Sequence, residues 1–92
     1  MTRKEAMAKL DAITAALAGV DDEANVISVG FGGSVQPYIQ ICGRNGGLER
    51  MKMMAWENHQ PLVVAPDFYE LGDKAYYEDG GVEVMAIIVN EE

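Results

Sequence analysis

An amphipathic helix at the start of the chain is the feature that most restricts the fold. Thr2, followed three residues later by Glu5, has the form of a capping box and predicts a helix from about Thr2 to Ala18. Gly19 stands where a left-handed C-cap is expected. Apolar side chains recur at helical spacing at Met7, Leu10, Ile13 and Leu17. A helix with one such face needs a second layer to cover it.

The next part of the chain predicts a β-hairpin. Residues 25–31 and 35–42 alternate apolar and polar side chains on either side of Gly32-Gly33-Ser34. Pro37 lacks the N–H that a strand ladder uses, so we expect the second strand at a sheet edge or locally distorted there.

The C-terminal part predicts a second hairpin. Residues 74–78 and 82–89 flank Asp79-Gly80-Gly81, which has the composition of a tight turn. Because residues 86–89 are apolar on both faces, this end of the strand is expected to be central in the sheet or covered by a partner.

A turn cluster at 43–47 separates the hairpins and precedes a short helix that runs to about Asn58. Leu62 to Ala65 is then expected as a short strand, and Asp67 to Asp73 as a segment with one helical turn. The predicted fold is α+β, in the order α-β-β-α-β-β-β, with two helices packed on a mainly antiparallel sheet of four to five strands.

Length and composition indicate one domain, residues 1–92, with a thin core. The longest apolar stretch, Val84 to Val89, is too short to cross a bilayer, and the N-terminus lacks the pattern of a secretory signal. Cys42 is the sole cysteine and cannot form an internal disulfide. We therefore expect a cytoplasmic protein.

The formal charge of −8 arises from 15 acidic and 7 basic side chains. Such a charge repels nucleic-acid phosphates and anionic membranes, and it attracts basic proteins. We expect no direct nucleic-acid or membrane binding. The alternative explanation is that the charge only keeps the protein soluble.

Chemistry-bearing residues are few. Cys42 and His59 are the candidates for nucleophile and base, but a catalytic pair needs contact with a third orienting group, and the sequence does not show such a contact. Asp21-Asp22-Glu23 lacks the ligand spacing of a calcium loop, and the glycines at 30–33 precede a strand rather than a helix. We therefore assign no catalytic residue, metal or cofactor, and expect a protein that is not an enzyme.

Two groups of residues are candidates for binding a partner. Met53 and Trp56 share one face of the second helix, which is either an interface or part of an extended core. Tyr76 and Tyr77 point to opposite faces of their strand, so one of them should be outward, near Glu78 and Asp79. Tyrosine among carboxylates suits a surface that docks on cationic groups, whereas cross-strand packing against Glu83 or Met85 is the alternative.

A ligand site is predicted at the start of the second helix. Free backbone N–H groups at Asn45, Gly46 and Gly47, together with Arg44, suit an anion or a carboxylate, with Tyr38 or Trp56 as a further wall.

Three hypotheses follow. The first is a small acidic, self-associating module that binds a basic protein and acts as an inhibitor of a nucleic-acid-binding partner. In size and charge alone the chain is similar to phage-encoded inhibitors of that kind. The second is a small-ligand or nucleotide-binding protein with a pocket near Arg44. The third is a structural or regulatory subunit that assembles as a homo-oligomer.

Overall fold

The computed structural model describes residues 1–32, 35–68 and 71–89. The order of elements is the predicted α-β-β-α-β-β-β, which confirms the α+β fold. The elements are α1 (Arg3–Leu17), β1 (Val26–Gly32), β2 (Val35–Ile41), α2 (Gly47–Glu57), β3 (Val63–Phe68), β4 (Gly72–Asp79) and β5 (Val82–Ile88). Neither helix is long and apolar enough to span a bilayer, within the residues described.

The five strands form one sheet in the order β1-β2-β5-β4-β3. Three of the four pairings are antiparallel, as predicted, and the pairing of β2 with β5 is parallel. Between those two parallel strands the chain forms α2, β3 and β4, which is enough length for the crossover that a parallel pair needs. β5 therefore lies at the centre of the sheet, where its apolar end was expected.

The core lies between one face of the sheet and the two helices. α1 packs on β2 and β5, and α2 packs on β5 and β4. The strand registers align the side chains of this face in rows across β2, β5 and β4. One buried row consists of Ile39, Val84 and Tyr77, and the next consists of Ile41, Ala86 and Ala75. From the helices, the core takes Ile13, Ala16, Met51, Met54 and Ala55.

Only the N-terminal end of α1 has the predicted cap. The Thr2 hydroxyl accepts a hydrogen bond from the Glu5 N–H at 3.1 Å, as in the predicted cap. Gly19, however, is not in the left-handed region, so that prediction is wrong. Met7 and Leu10 are exposed rather than inward, because the helix turns its alanine-bearing side to the sheet.

β2 is an internal strand, so Pro37 does not mark a sheet edge. The predicted local distortion is present: the β1–β2 register shifts opposite residues 36–37, and the pairing with β5 begins only at Tyr38. The proline thus sits where the ladders on both sides are interrupted.

The connection between β3 and β4 differs from the predicted helical turn. Asp67 and Phe68 belong to β3, and Gly72 and Asp73 belong to β4, while residues 69–70 lie outside the described part of the chain. The short strand predicted from Leu62 is confirmed as β3.

The β4–β5 hairpin has the predicted turn. Gly80 and Gly81 have φ values of 58° and 83°, which match the two central positions of a type I′ turn. On the sheet face away from the helices, Lys74 Nζ lies 2.8 Å from Glu83 Oε1 and 4.9 Å from the centre of the Tyr76 ring. Met85 is buried on this face, directly across from Tyr76.

Candidate functional site: the outer face of α2

α2 begins and ends with backbone in the left-handed region. Asn45 and Gly46, with φ values of 55° and 82°, lead into the helix, and Gly46 supplies no side-chain cap. At the other end, the His59 N–H donates to the Trp56 carbonyl at 3.1 Å and the Gln60 N–H to the Ala55 carbonyl at 2.9 Å. With His59 at a φ of 57°, these two bonds form a Schellman motif, which ends the helix sharply.

The two apolar groups of α2 lie on opposite sides of the helix. Met51, Met54 and Ala55 are buried against the sheet. Met53 and Trp56, three residues apart, are 61% and 79% exposed. The sequence left open whether this second face belonged to the core, and the structure places it in solvent.

Carboxylates lie beside the exposed methionine. A cavity of about 370 Å³ is lined by Asp21, Gly46, Glu49, Arg50, Met53, Met54 and Glu57. Glu49, Met53 and Glu57 follow each other at four-residue spacing, so the helix itself builds one wall. The Asp21 N–H donates to Met54 Sδ at 3.4 Å and holds the loop after α1 against that wall.

The cations near this cavity already have acidic partners. Arg50 Nε lies 3.4 Å from Asp21 Oδ2, and Lys52 Nζ lies 3.4 Å from Glu49 Oε1. Asp22 and Glu23, next to Asp21, are exposed. The surface around Met53 therefore keeps an excess of negative charge.

The end of α2 meets the end of the β4–β5 hairpin at Tyr77. This tyrosine is 1% exposed, and its hydroxyl has no hydrogen-bond partner among the described residues. Burial raises the pKa of Tyr77 to about 12; Asp79 and Glu57 add to the rise, and the Asn58 side chain opposes it. Carboxylates from α2 and from the hairpin thus act on the same buried group.

The tyrosine hairpin contributes less to a surface than its sequence suggested. Tyr77 belongs to the core and is too deeply buried to contact a partner, so the prediction that it binds one is wrong. Tyr76 is half-buried on the opposite face, Glu78 is exposed, and Asp79 is half-buried. A cavity of about 340 Å³ lies here, lined by Gln60, Pro61, Val63, Tyr76, Tyr77 and Glu78.

The predicted ligand residues are only partly together. Arg44, Asn45, Gly46 and Gly47 line a cavity of about 180 Å³ with Gly43, Leu48, Ile88 and Val89. Tyr38 lies elsewhere: its ring packs over Gly30, with which it is paired across β1 and β2, on the sheet face away from the helices. Tyr38 is therefore not a wall of this cavity.

Cys42 and His59 are separated by the whole of α2. The Cys42 carbonyl lies close to Gly47 at the start of the helix, and His59 follows its end. Eleven helical residues span roughly 16 Å, too far for direct proton transfer. Within the described residues, no three His, Cys, Asp or Glu side chains are grouped to hold a metal ion.

The sequence prediction named Gly46 and Met53 but missed the charged residues that line the cavity beside Met53. Glu49 and Glu57 carried a usable signal, since their spacing from Met53 places them on its face. Asp21 and Arg50 carried none, because their pairing joins two segments that are distant in the chain.

Comparison with known protein families, characterised proteins and solved structures found no match to this chain.

Proposed function

We propose that this chain is a non-enzymatic, acidic protein-binding module of the cytoplasm that docks on a basic protein through the outer face of α2 and also self-associates. The observation that carries the proposal is the exposure of Trp56 and Met53, 79% and 61%, beside a cavity walled by Glu49 and Glu57. Tryptophan and methionine are enriched at interface centres, where they supply much of the binding energy.

The composition of this face suits a lysine or arginine side chain of the partner. The methylene stem of such a side chain would pack on Met53 and Met54, and its charged end would meet the carboxylates around the cavity. A volume of about 370 Å³ is ample for one such side chain.

The charge of the whole chain supports the same class of partner. A net charge of −8 accelerates encounter with a basic protein and excludes acidic competitors. A basic partner that normally binds nucleic acid would present its phosphate-binding side chains to this face, and docking would then inhibit nucleic-acid binding.

The chain contains its own probe for this proposal. Trp56 is the sole tryptophan, and it is largely exposed. We expect its fluorescence to shift to shorter wavelength when purified basic proteins or polylysine are titrated in, and the complex to weaken with added salt. An unchanged spectrum across a panel of basic proteins at low salt would refute the proposed surface.

Substitutions test the surface directly by calorimetry. Trp56→Ala should weaken binding by about 2 kcal/mol, roughly 30-fold, and Met53→Ala by less. Leu71→Ala is a matched control, because Leu71 is 61% exposed and lies outside this face. Equal losses for Trp56→Ala and Leu71→Ala would show that the face is not the contact.

The ligand-binding alternative has less support. The cavity at Arg44 measures about 180 Å³, below the usual range for small-molecule sites, and Tyr38 does not face it. A thermal-shift panel of nucleotides and metabolites tests it: a rise in melting temperature that disappears in Arg44→Ala would favour this alternative over protein binding.

A further inference from the structure

The β1–β2 hairpin differs from the rest of the chain in charge. Residues 24–43 contain no Asp, Glu, Lys, Arg or His, so all 15 acidic and 7 basic side chains lie elsewhere. β2 is internal, but β1 is the first strand of the sheet, and within the described residues its outer edge pairs with nothing. An acidic protein thus has one uncharged sheet edge.

This edge also lacks most of the features by which proteins usually prevent strand pairing. Such features are a charged residue, a proline or an irregular backbone on the edge strand. The edge at the other side of the sheet has all three, since β3 contains Asp67, Pro66 and a register irregularity between Ala65 and Phe68. β1 has neither charge nor proline, and Val26, Ile27 and Val29 are exposed on it.

The backbone of β1 is regular over most of its length. The register places one extra residue, Ile27, near the start of β1. The second irregularity sets Phe31 against residues 36–37, so there the extra residue belongs to β2. The run from Ser28 to Gly32 is therefore free of extra residues, and its unpaired N–H and C=O groups are available to another strand.

We propose that β1 pairs antiparallel with β1 of a second copy of this chain, and that the resulting two-fold dimer contains one continuous ten-stranded sheet. A second copy is the occupant because two chains of charge −8 repel each other wherever acidic surfaces meet, and β1 avoids that contact. Two antiparallel copies of one edge are also self-complementary in their hydrogen-bonding groups. A basic partner would gain no electrostatic attraction at β1, because this edge carries no negative charge. The inference specifies the self-association within the proposed function and does not depend on the basic partner.

Analytical ultracentrifugation of the full chain over a range of concentrations tests the dimer. The expected species are a 10.0 kDa monomer and a dimer of twice that mass. Dimer formation should strengthen with added salt, because salt screens the repulsion between two acidic chains, whereas docking on a basic protein should weaken. The two proposals therefore fail separately. A monomer at every concentration and salt level would overturn this one.

Charge placed on β1 should remove the dimer. Val29, 42% exposed, is the position, and both Val29→Lys and Val29→Glu should weaken the dimer at least 10-fold, while Val29→Thr should keep it. Val64→Lys is the matched control, because Val64 is 44% exposed and lies on β3. Loss of the dimer in Val64→Lys and its retention in both charged Val29 variants would overturn the inference. Circular dichroism shows whether each variant is folded.

Hydrogen exchange of the unmodified chain gives a measurement that needs no variant. Amides of Ser28 to Gly32 that face the outer edge should exchange more slowly at high protein concentration than at low concentration, while amides of β3 should not change. Slowing confined to α2 or β3 would place self-association on another surface and overturn the inference.

Discussion

Replacing Gly19 by alanine should have opposite effects on stability depending on whether Asn58 is present. The Asn58 amide donates to the Gly19 carbonyl at 2.9 Å and to the Met54 carbonyl at 2.8 Å, and so joins the end of α1 to the end of α2. A Cβ at Gly19 would overlap this amide. The backbone of Gly19 is not in the left-handed region, so alanine itself is compatible with it.

The magnitudes follow from the two hydrogen bonds and from chain entropy. If alanine displaces the Asn58 side chain, the loss is about 1 to 3 kcal/mol for two bonds. Glycine-to-alanine replacement at a compatible backbone regains about 0.4 to 1 kcal/mol by restricting the unfolded chain. Gly19→Ala should therefore destabilise the protein by roughly 0.5 to 2 kcal/mol, whereas in an Asn58→Ala background it should stabilise it by about 0.4 to 1 kcal/mol.

Urea unfolding of the four proteins in this cycle, followed by far-ultraviolet circular dichroism, measures both effects. Tryptophan fluorescence is a poor reporter here, since Trp56 is already exposed in the folded state. Asn25→Ala, at an exposed asparagine, serves as the control for a general effect of losing an amide. If Gly19→Ala changes the free energy of unfolding by the same amount in both backgrounds, the overlap between Gly19 and Asn58 does not determine the cost.

Two further substitutions test the surroundings of the same helix end. His59→Gly should stabilise the protein by roughly 0.5 to 1 kcal/mol, because His59 has a φ of 57° and glycine adopts it without strain; a lower urea midpoint would contradict this. Tyr77 ionises near pH 10 in the unfolded chain and near pH 12 in the folded one, so the unfolded state binds fewer protons between these values. The contribution of Tyr77 to the free energy of unfolding is fully present below pH 10. It should therefore fall by about 2 to 3 kcal/mol as the pH rises to 12. The Tyr77→Phe variant should not show this fall, and at pH 7 its free energy of unfolding should be close to that of the unmodified protein. If stability falls equally with pH in both proteins, Tyr77 is not the group responsible.

The elements that the sequence predicted well depend on local chemistry. The Thr2 cap, the Asp79-Gly80-Gly81 turn and the two strands that flank this turn each involve residues close in the chain. Such patterns determine the local backbone conformation directly, and the tertiary structure is compatible with it.

The wrong predictions concern choices that distant residues make. Two apolar stripes are possible on α1, one through Leu10 and one through Ala16, and they share Ile13. In the folded chain the stripe through Ala16 packs against the sheet, with Ile13 and Ala16 buried, and Leu10 stays exposed. Pro37 could not reveal that β2 is internal, because the parallel pairing with β5 is specified only when the end of the chain is in place.

The candidate site shows the same division. The spacing of Met53 and Trp56 puts them on one helical face, but only the assembled core shows that Met51 and Met54 take the buried side. Tyr76 and Tyr77 alternate by geometry, and the sheet decides which of them is buried. The pairing of Asp21 with Arg50 requires the loop after α1 to reach α2, which no local pattern predicts.

Net charge is a sum over the whole chain, and it does not say where the charges lie in the fold. A value of −8 suggests a chain that repels its own copies, yet residues 24–43 carry no charge and form a hairpin whose outer strand is a sheet edge. Many of the carboxylates lie instead in the loop after α1, on α2 and next to the β4–β5 turn. One molecule therefore has an acidic face and an uncharged edge, and added salt has opposite effects on their contacts. Screening weakens the attraction between the acidic face and a basic partner. It also reduces the repulsion between two acidic chains, and so it favours contacts made by the edge. The direction of the salt response is thus determined by where the charges lie in the fold rather than by their sum.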